Sequence, residues 1–459
     1  MRGSDLIPAL ALALGLAGCA PITPDACTSD AQCVEAFGWG HVCDDEATCA
    51  AVQPTYACAA AWPEDLWTER DAHRNDLVIG ALVDSERYPV ERASMRLAVD
   101  QINDLGGIDG RDVALVECDV AALDNQDHAD AIQGIGGYLT GSVGTPVTLG
   151  PIYSSDATAL LEGTSELVAV SPSASGLLLD AARTEAAAQV WRMVPSDLNN
   201  AQSFVRDMLA EGLISLAIVH SRDDNQSSLA EQLVADLDLA GLRSETFDYG
   251  SETERNAQLV EAAYANTDAV ALLSEDPDDY VEFVRSADTI GSLADRVLYV
   301  GSGAYREDFL TQTEGLAALD QVRGVRPAPR EGAVADVFRA SYSSAYDGAS
   351  PDEGSFAAHS YDAAWMTFAA VSWSGMRYGA LSATGVAEGL GSLSFGSPLS
   401  LGPSAWSDLT EVFAGAETVD LEGASSSVDI DLATRAVRAP VAVWIVGEEG
   451  FEDVREFSF

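Results

Sequence analysis

Lysine is missing from this chain of 459 residues: its 24 basic residues are all arginine, set against 73 aspartates and glutamates for a formal charge of −49. So acidic a surface repels polyanions, which excludes nucleic acid and anionic lipid as partners. The acidity itself reads as a solvating surface and says little about a ligand. A hydrophobic run long enough to span a bilayer is absent too, since the N-terminal stretch Leu6 to Leu16 is too short. Catalytic signatures are also lacking. No G-x-S-x-G elbow, H-E-x-x-H helix, complete EF-hand loop or P-loop occurs, and His41, His73, His128, His220 and His359 lie in unrelated contexts. The glycines of GIGGYLTG, Gly134 to Gly141, do not fit the dinucleotide fingerprint and are expected to form the turn before a third strand. Paired carboxylates are numerous by chance in so acidic a chain. No enzymatic activity, cofactor or metal is expected.

What is present begins with Arg2, the apolar run and then Leu16-Ala17-Gly18-Cys19, the layout of a secretory signal. LAGC resembles a bacterial lipobox. That likeness implies a signal peptide over 1–18, cleavage before a lipidated Cys19, and a cell-envelope protein on the periplasmic side whose contact with the inner or outer membrane is this lipid anchor alone. The alternative is an ordinary signal in which Cys19 is incidental. The other six cysteines form an even set, which in an exported chain reads as disulfides. Cys27, Cys33, Cys43 and Cys49 follow C-x5-C-x9-C-x5-C, without the C-x2-C pairs of zinc knuckles, and suggest a two-bridge knot of open connectivity. Cys58 stands just before the first core strand and Cys118 at the end of the second, so these two are expected to pair. Pro21, Pro24, Pro54 and Pro63 interrupt the segment 19–75, which is expected to be a Cys-rich stalk.

With 47% hydrophobic residues the chain can bury more than one core, because single cores stop growing near roughly 250–300 residues. The globular part begins near Asp76. LVIGALVD, from Leu77, is apolar and β-branched enough for a strand buried on both faces. The next segment places Met95, Ala98, Val99 and Ile102 on one helical stripe, and Gly106 and Gly107 stop that helix at Leu105. Further strands are expected at Asp112–Glu117, Val147–Leu149, Glu166–Val170, Ser215–His220, Asp268–Leu273 and Arg296–Val300, with helices between them. This alternation argues a doubly wound α/β architecture in two units.

Read together with TLGPIYSSDATALLE, VAVSPSASGLLL, QVWRMVPSDLNNAQ, LISLAIVHSRDDNQSSLAEQLVADL, HSYDAAWMTFAAVSW and LEGASSSVDIDLATRAV, the segment from Leu77 to Asp119 resembles the type I periplasmic binding proteins. That branch holds the leucine/isoleucine/valine receptors of ABC transporters. The likeness covers most of Leu77 to Phe459. It implies two hinged lobes, each a doubly wound, mainly parallel sheet: 76–195 plus 323–436 for the first and 196–322 plus 437–459 for the second, with a recrossing near Gln321 to Val325. It further implies an extracytoplasmic, lipid-anchored receptor that captures a small polar solute, such as an amino acid, amide or carboxylate, and presents it to an ABC permease. The alternative is a sensory or envelope-assembly lipoprotein that uses the same fold with another envelope membrane protein as partner. The long stalk and a departure from the family's second-lobe motif lend support to that alternative, which stands second to the receptor.

In open parallel sheets, ligands sit beyond the carboxyl ends of strands, at helix N-termini with free N–H groups. By the resemblance, Ser155, Ser173 and Ser175 fall where amino-acid-binding relatives hold an α-carboxylate, beside Tyr153. Each serine also suits a helix cap, which needs no ligand. In the second lobe Asn225-Gln226 stands where relatives have an aromatic, usually Tyr followed by Gly, and Gly301-Ser302-Gly303-Ala304 replaces the acidic residue that would meet an ammonium group. Glu275 or Asp276 is the substitute within reach, unless both face solvent. Arg87 and Tyr88 line the same mouth, where they pair with an anion and stack on a ligand, or else bridge the loop to its neighbours. Tyr305 reads as a cleft aromatic or as rim packing, and Trp191 as hinge packing.

Overall fold

Leu77–Val83 is buried at all of its positions, because helices cover both faces of the sheet in which it lies. The computed structural model describes residues 26–123, 127–180, 189–293, 295–415, 417–448 and 450–459; the signal peptide and Cys19 lie outside them. In the first sheet eight strands run in the spatial order Ile430–Asp431, Ala436–Val437, Gln189–Arg192, Val168–Ser171, Val147–Leu149, Leu77–Val83, Val113–Asp119, Ala60–Trp62. The five from Gln189–Arg192 through Val113–Asp119 are parallel. Seven strands form the second sheet, in the order Arg243–Tyr249, Ser215–Ser221, Ala269–Leu273, Val297–Val300, Val322–Pro327, Val441–Gly447, Gly450–Phe457, with the first five parallel. Each sheet has a separate hydrophobic core on each face. These are the two lobes and the doubly wound α/β class expected from the sequence.

Local chemistry explains the helices that matter to the cleft. Pro89–Asp104 starts on proline, whose fixed φ suits a first helical turn, and buries Met95, Ala98, Val99 and Ile102 as its apolar stripe requires. It ends before Gly106 and Gly107, both at positive φ. Against it lies Ala357–Tyr378, whose buried aromatics and small residues fill the first lobe's core.

Three expectations need correction. The chain returns to the first lobe after Pro327, not near 323, because Val322–Pro327 is itself a strand of the second sheet, pairing with Val297–Val300 on one side and Val441–Gly447 on the other. The segment 19–75 is not a stalk throughout. Ala60–Trp62 pairs antiparallel with Leu115–Glu117 at the edge of the first sheet, Leu66 is fully buried, and Trp39 and Trp67 pack against each other 5.4 Å apart. GIGGYLTG is not a turn: its first part closes the helix His128–Gly137, and a π-helical stretch Tyr138–Val143 follows. Gly136 lies so near the neighbouring helix that a Cβ would be 3.1 Å from Leu160 Cδ1. The turn before the third strand is made by Gly144 instead, at φ 77°.

Disulfides join Cys27 to Cys43 and Cys33 to Cys49, closing the small knot around the helix Asp30–Phe37 and the strands His41–Cys43 and Cys49–Ala51. The third joins Cys58 to Cys118, as expected. Among the described residues no helix is long and apolar enough to cross a membrane.

Candidate ligand-binding cleft

In each sheet the strand order reverses once among the parallel strands. The reversal falls between Leu77–Val83 and Val147–Leu149 in the first lobe and between Ser215–Ser221 and Ala269–Leu273 in the second. Loops leaving the carboxyl ends of such strands diverge and open a crevice. Here the four loops meet: Asp84 to Tyr88 and Gly150 to Tyr153 face Arg222 to Gln226 and Ser274 to Asp276. Gly150 is required at its turn, at φ 79°, since a Cβ there would lie 2.2 Å from the Leu82 carbonyl oxygen.

Between the lobes lies a cavity of about 80 Å3, lined from the first lobe by Tyr88, Ile152, Tyr153, Ser154, Ser173, Ser175 and Phe356, and from the second by Asp197, Asn200, Gln226, Ser274, Glu275, Tyr280 and Ser302 among others. The lobes touch around it. Glu275 reaches across to the helix Ser154–Gly163, where its carboxylate accepts from the Ser155 hydroxyl at 2.5 Å and from the Ser155 N–H at 3.2 Å. Tyr153, the residue preceding that helix, gives it no side-chain cap. A carboxyl oxygen from the opposite lobe thus satisfies a free N–H at the positive end of the helix. Beside this contact Arg87 lies 3.6 Å from Asp276 and 3.5 Å from Asp278, both in the second lobe.

The expected site residues separate into three groups. Tyr153, Ser173, Ser175 and Glu275 line the cavity. Tyr153 donates to Asp84 at 2.7 Å, and the Ser173 hydroxyl is taken by the Ile152 carbonyl at 2.6 Å, a bond that fixes one loop to the next. Ser155 stands at the cavity's edge with its donors on Glu275. Asn225 lies behind the lining, 3% exposed, with an amide oxygen that has no partner among the described residues. Gly176 meets it there, and a Cβ on Gly176 would sit 2.4 Å from that oxygen. Arg87 is a rim residue that bridges loops, and Tyr305 packs on Phe451 at 4.3 Å and under Arg326, outside the cavity. Trp191 is buried in the first lobe's core.

Asp197, Asn200, Tyr280 and Phe356 are lining residues that the sequence reading missed. Asp197 opens the helix Asp197–Glu211 directly after the first crossing, so its place after Pro195-Ser196 is the signal that marks it. Burial pushes the Asp197 carboxyl above its ordinary range, while hydrogen bonds from Asn200 and Ser175 hold it back. The Glu275 carboxyl is pushed up to about 8, first by loss of solvent and then by the Asp223 carboxylate, with Ser155 pulling the other way. Ser154 acts as the local organiser: its hydroxyl accepts from the N–H groups of Ser175 at 3.1 Å and Gly176 at 3.0 Å.

Comparison with known proteins agrees with this geometry. The leucine-binding protein LivK of Thermotoga maritima superposes with a TM-score of 0.67 at 15% identity, covering 83% of this chain and 99% of that one. The branched-chain amino acid substrate-binding protein LivJ of Streptococcus pneumoniae, in complex with isoleucine, gives 0.63 at 18% identity, with 83% and 99% covered. A solute-binding protein of R. palustris in complex with benzoate gives 0.59 at 15%, with 83% and 96% covered. No curated protein sequence matches the chain. The family model described as "Periplasmic binding protein" matches residues 89–411, most of both lobes and the cleft between them. By that match and by its two doubly wound lobes, the chain belongs to the periplasmic binding protein family.

Proposed function

We propose that the protein is an extracytoplasmic solute receptor of an ABC-type importer, lipid-anchored through Cys19, whose lobes close on a small polar molecule. The observation that carries this reading is the cavity at the meeting of both topological switch points, lined by polar groups from both lobes. The relatives described as bound to isoleucine and benzoate have the same two-lobed fold. Ligand stabilises the closed form through contacts that exist only when both lobes surround it, and the membrane permease reads that form. Tyr153, Ser155, Ser173, Ser175, Asn225, Glu275 and Arg87 are the residues assigned to this closure, by lining the cavity or by joining the lobes around it.

A thermal-shift screen of the full chain in mild detergent tests the receptor role, using amino acids, amides, small carboxylates, amines, nucleosides and sugars. A true ligand at about a hundred times its Kd adds roughly 2.7 kcal/mol of stability and raises Tm. A flat response from folded protein removes the receptor reading and favours the sensory or envelope-assembly role, which the disulfide-bonded N-terminal module on the first lobe would serve. The anchor has its own test. Cys19→Ser moves the protein from the detergent phase to the soluble fraction, and unchanged partitioning eliminates lipidation at that residue.

A further inference from the structure

Among the described side chains that line the cavity, Asp197 and Glu275 are the only ionisable carboxyl groups, and no basic side chain stands with them. Two carboxyl groups share this small cleft cavity, and none of its described lining side chains is cationic. Three guanidiniums flank the cleft outside the lining and are engaged by carboxylates of their own: Arg87 with Asp84, Asp276 and Asp278, Arg306 with Asp308, and Arg192 with Asp180, the last also donating to the Ser175 carbonyl at 3.3 Å and favouring the charged form of Asp197. The donors that would receive a ligand carboxylate, the Ser155 hydroxyl and N–H, are already taken by Glu275. A solute with its own carboxylate would have to displace that side chain and then sit beside two buried carboxyl groups. Where Asn225 meets Gly176 its amide oxygen has no partner among the described residues, while the unpartnered donors beside the cleft, Arg87 Nε and Arg306 Nη1, belong to guanidiniums outside the lining. The rest of the wall includes the rings of Tyr88 and Phe356, with centroids 6.5 Å apart, and of Tyr153, 5.7 Å from Tyr88; the Arg306 guanidinium already lies over the Tyr88 ring, 5.7 Å from its centroid, and leaves Phe356 and Tyr153 without such a partner among the described residues. Aromatic faces beside carboxylates suit an organic cation.

From this juxtaposition we infer that the cleft selects a small organic ammonium ion that lacks a carboxylate, held between Glu275 and Asp197 beside the ring of Phe356. The inference rests on the receptor reading and names the ligand class for its site. Glu275 then has two tasks: it fills the N-terminus of the helix Ser154–Gly163, and it presents charge to the cation. An ammonium group donates hydrogen bonds and supplies the positive charge that the enclosed carboxylates lack.

Titration calorimetry of the full chain decides the matter, with ethylammonium, tetramethylammonium and putrescine set against leucine, acetate and benzoate. The ammonium ions bind and the carboxylates do not. E275Q and D197N each weaken ammonium binding roughly ten- to hundredfold, the value of one charge-assisted hydrogen bond, while circular dichroism shows them folded. A second readout needs no variant: at pH 7 the arriving cation displaces the proton held by Glu275, so the heat of binding varies with the ionisation enthalpy of the buffer. Binding of leucine or benzoate without ammonium binding overturns this inference and leaves the receptor role standing. Silence from every probe overturns this inference, and the wider thermal-shift screen then decides the receptor role. Ammonium binding that both variants retain at full strength, or that releases no proton, places the cation away from these carboxylates and overturns the inference alone.

Discussion

Asp207 is fully buried on the helix Asp197–Glu211 and receives two guanidiniums at once, Arg323 at 2.6 and 2.9 Å and Arg455, together with the Tyr299 hydroxyl at 2.7 Å. One carboxylate thereby ties a helix to three strands of the second sheet. Asp207→Ala leaves those guanidiniums with Glu211 alone, which Arg455 reaches at 2.6 Å and Arg323 at 3.4 Å. The expected cost is about 3 kcal/mol, the low end for a broken buried pair because Glu211 remains. Urea unfolding measures it, and a loss below about 1 kcal/mol would mean that the cluster is dispensable. Nothing in the sequence announces Asp207, because its three partners come from segments roughly a hundred or more positions away. Ser155 and Ser175 were legible for the opposite reason: each follows a recognisable strand by a few residues, so local order suffices. Glu275 was legible as a candidate charge, but its partner on the other lobe was not.

At the scale of elements, runs buried on both faces were the readable ones. Leu77–Val83 and Ala269–Leu273 are apolar throughout because their sheets are covered on both sides. Arg243–Tyr249 escaped notice because it is an edge strand with mostly exposed or half-buried polar side chains, and Ala60–Trp62 because three residues carry no period. The helices His128–Gly137 and Ser154–Gly163 show what glycine does in a tight pair. Gly136 and Gly163 let the two approach until a Cβ on Gly163 would lie 2.5 Å from Gln133 Cβ. Their first turns are joined by His128 Nε2 and Asp156 Oδ1 at 2.7 Å. The hydrogen bond to Asp156 raises the His128 pKa above the usual histidine value, against the opposing effect of burial. A histidine whose folded pKa exceeds its unfolded one stabilises fully below the unfolded value, near 6.5, and loses that contribution as pH rises through the folded one. Wild type should therefore exceed His128→Gln in stability at about pH 5.5, with the gap closing by about pH 8.5. A gap independent of pH, measured by urea unfolding, would mean that the bond acts through the neutral ring.

For the whole molecule, the two lobes were readable from the order of strands and helices, while the site of the second crossing was not. Val322–Pro327 passes for a hinge in sequence because it holds Gly324 and two arginines, yet it pairs on both sides within the second sheet. The chain therefore changes lobes after Arg192, after Pro327 and after Val437, three short passages that permit rotation of one lobe on the other. The contacts that join the lobes across the cleft include Ser155 with Glu275, Gly176 with Asn225, the Ser355 hydroxyl with the Tyr305 carbonyl at 2.8 Å, Arg306 over the Tyr88 ring, and Arg87 with Asp276 and Asp278. The last is the outermost, with Arg87 35% exposed and its partners about half exposed. Such pairs contribute about 0.2–1 kcal/mol each and are screened by salt. Against a closed state only slightly favoured without ligand, a loss of that size shifts the population severalfold toward the open form. Arg87→Ala should therefore enlarge the radius of gyration seen by small-angle scattering, and high salt should enlarge that of the wild type but add little to the variant. Identical scattering curves for both proteins, at low and high salt alike, would assign closure to the inner contacts of Ser155 and Gly176, where neither salt nor the rim residue reaches.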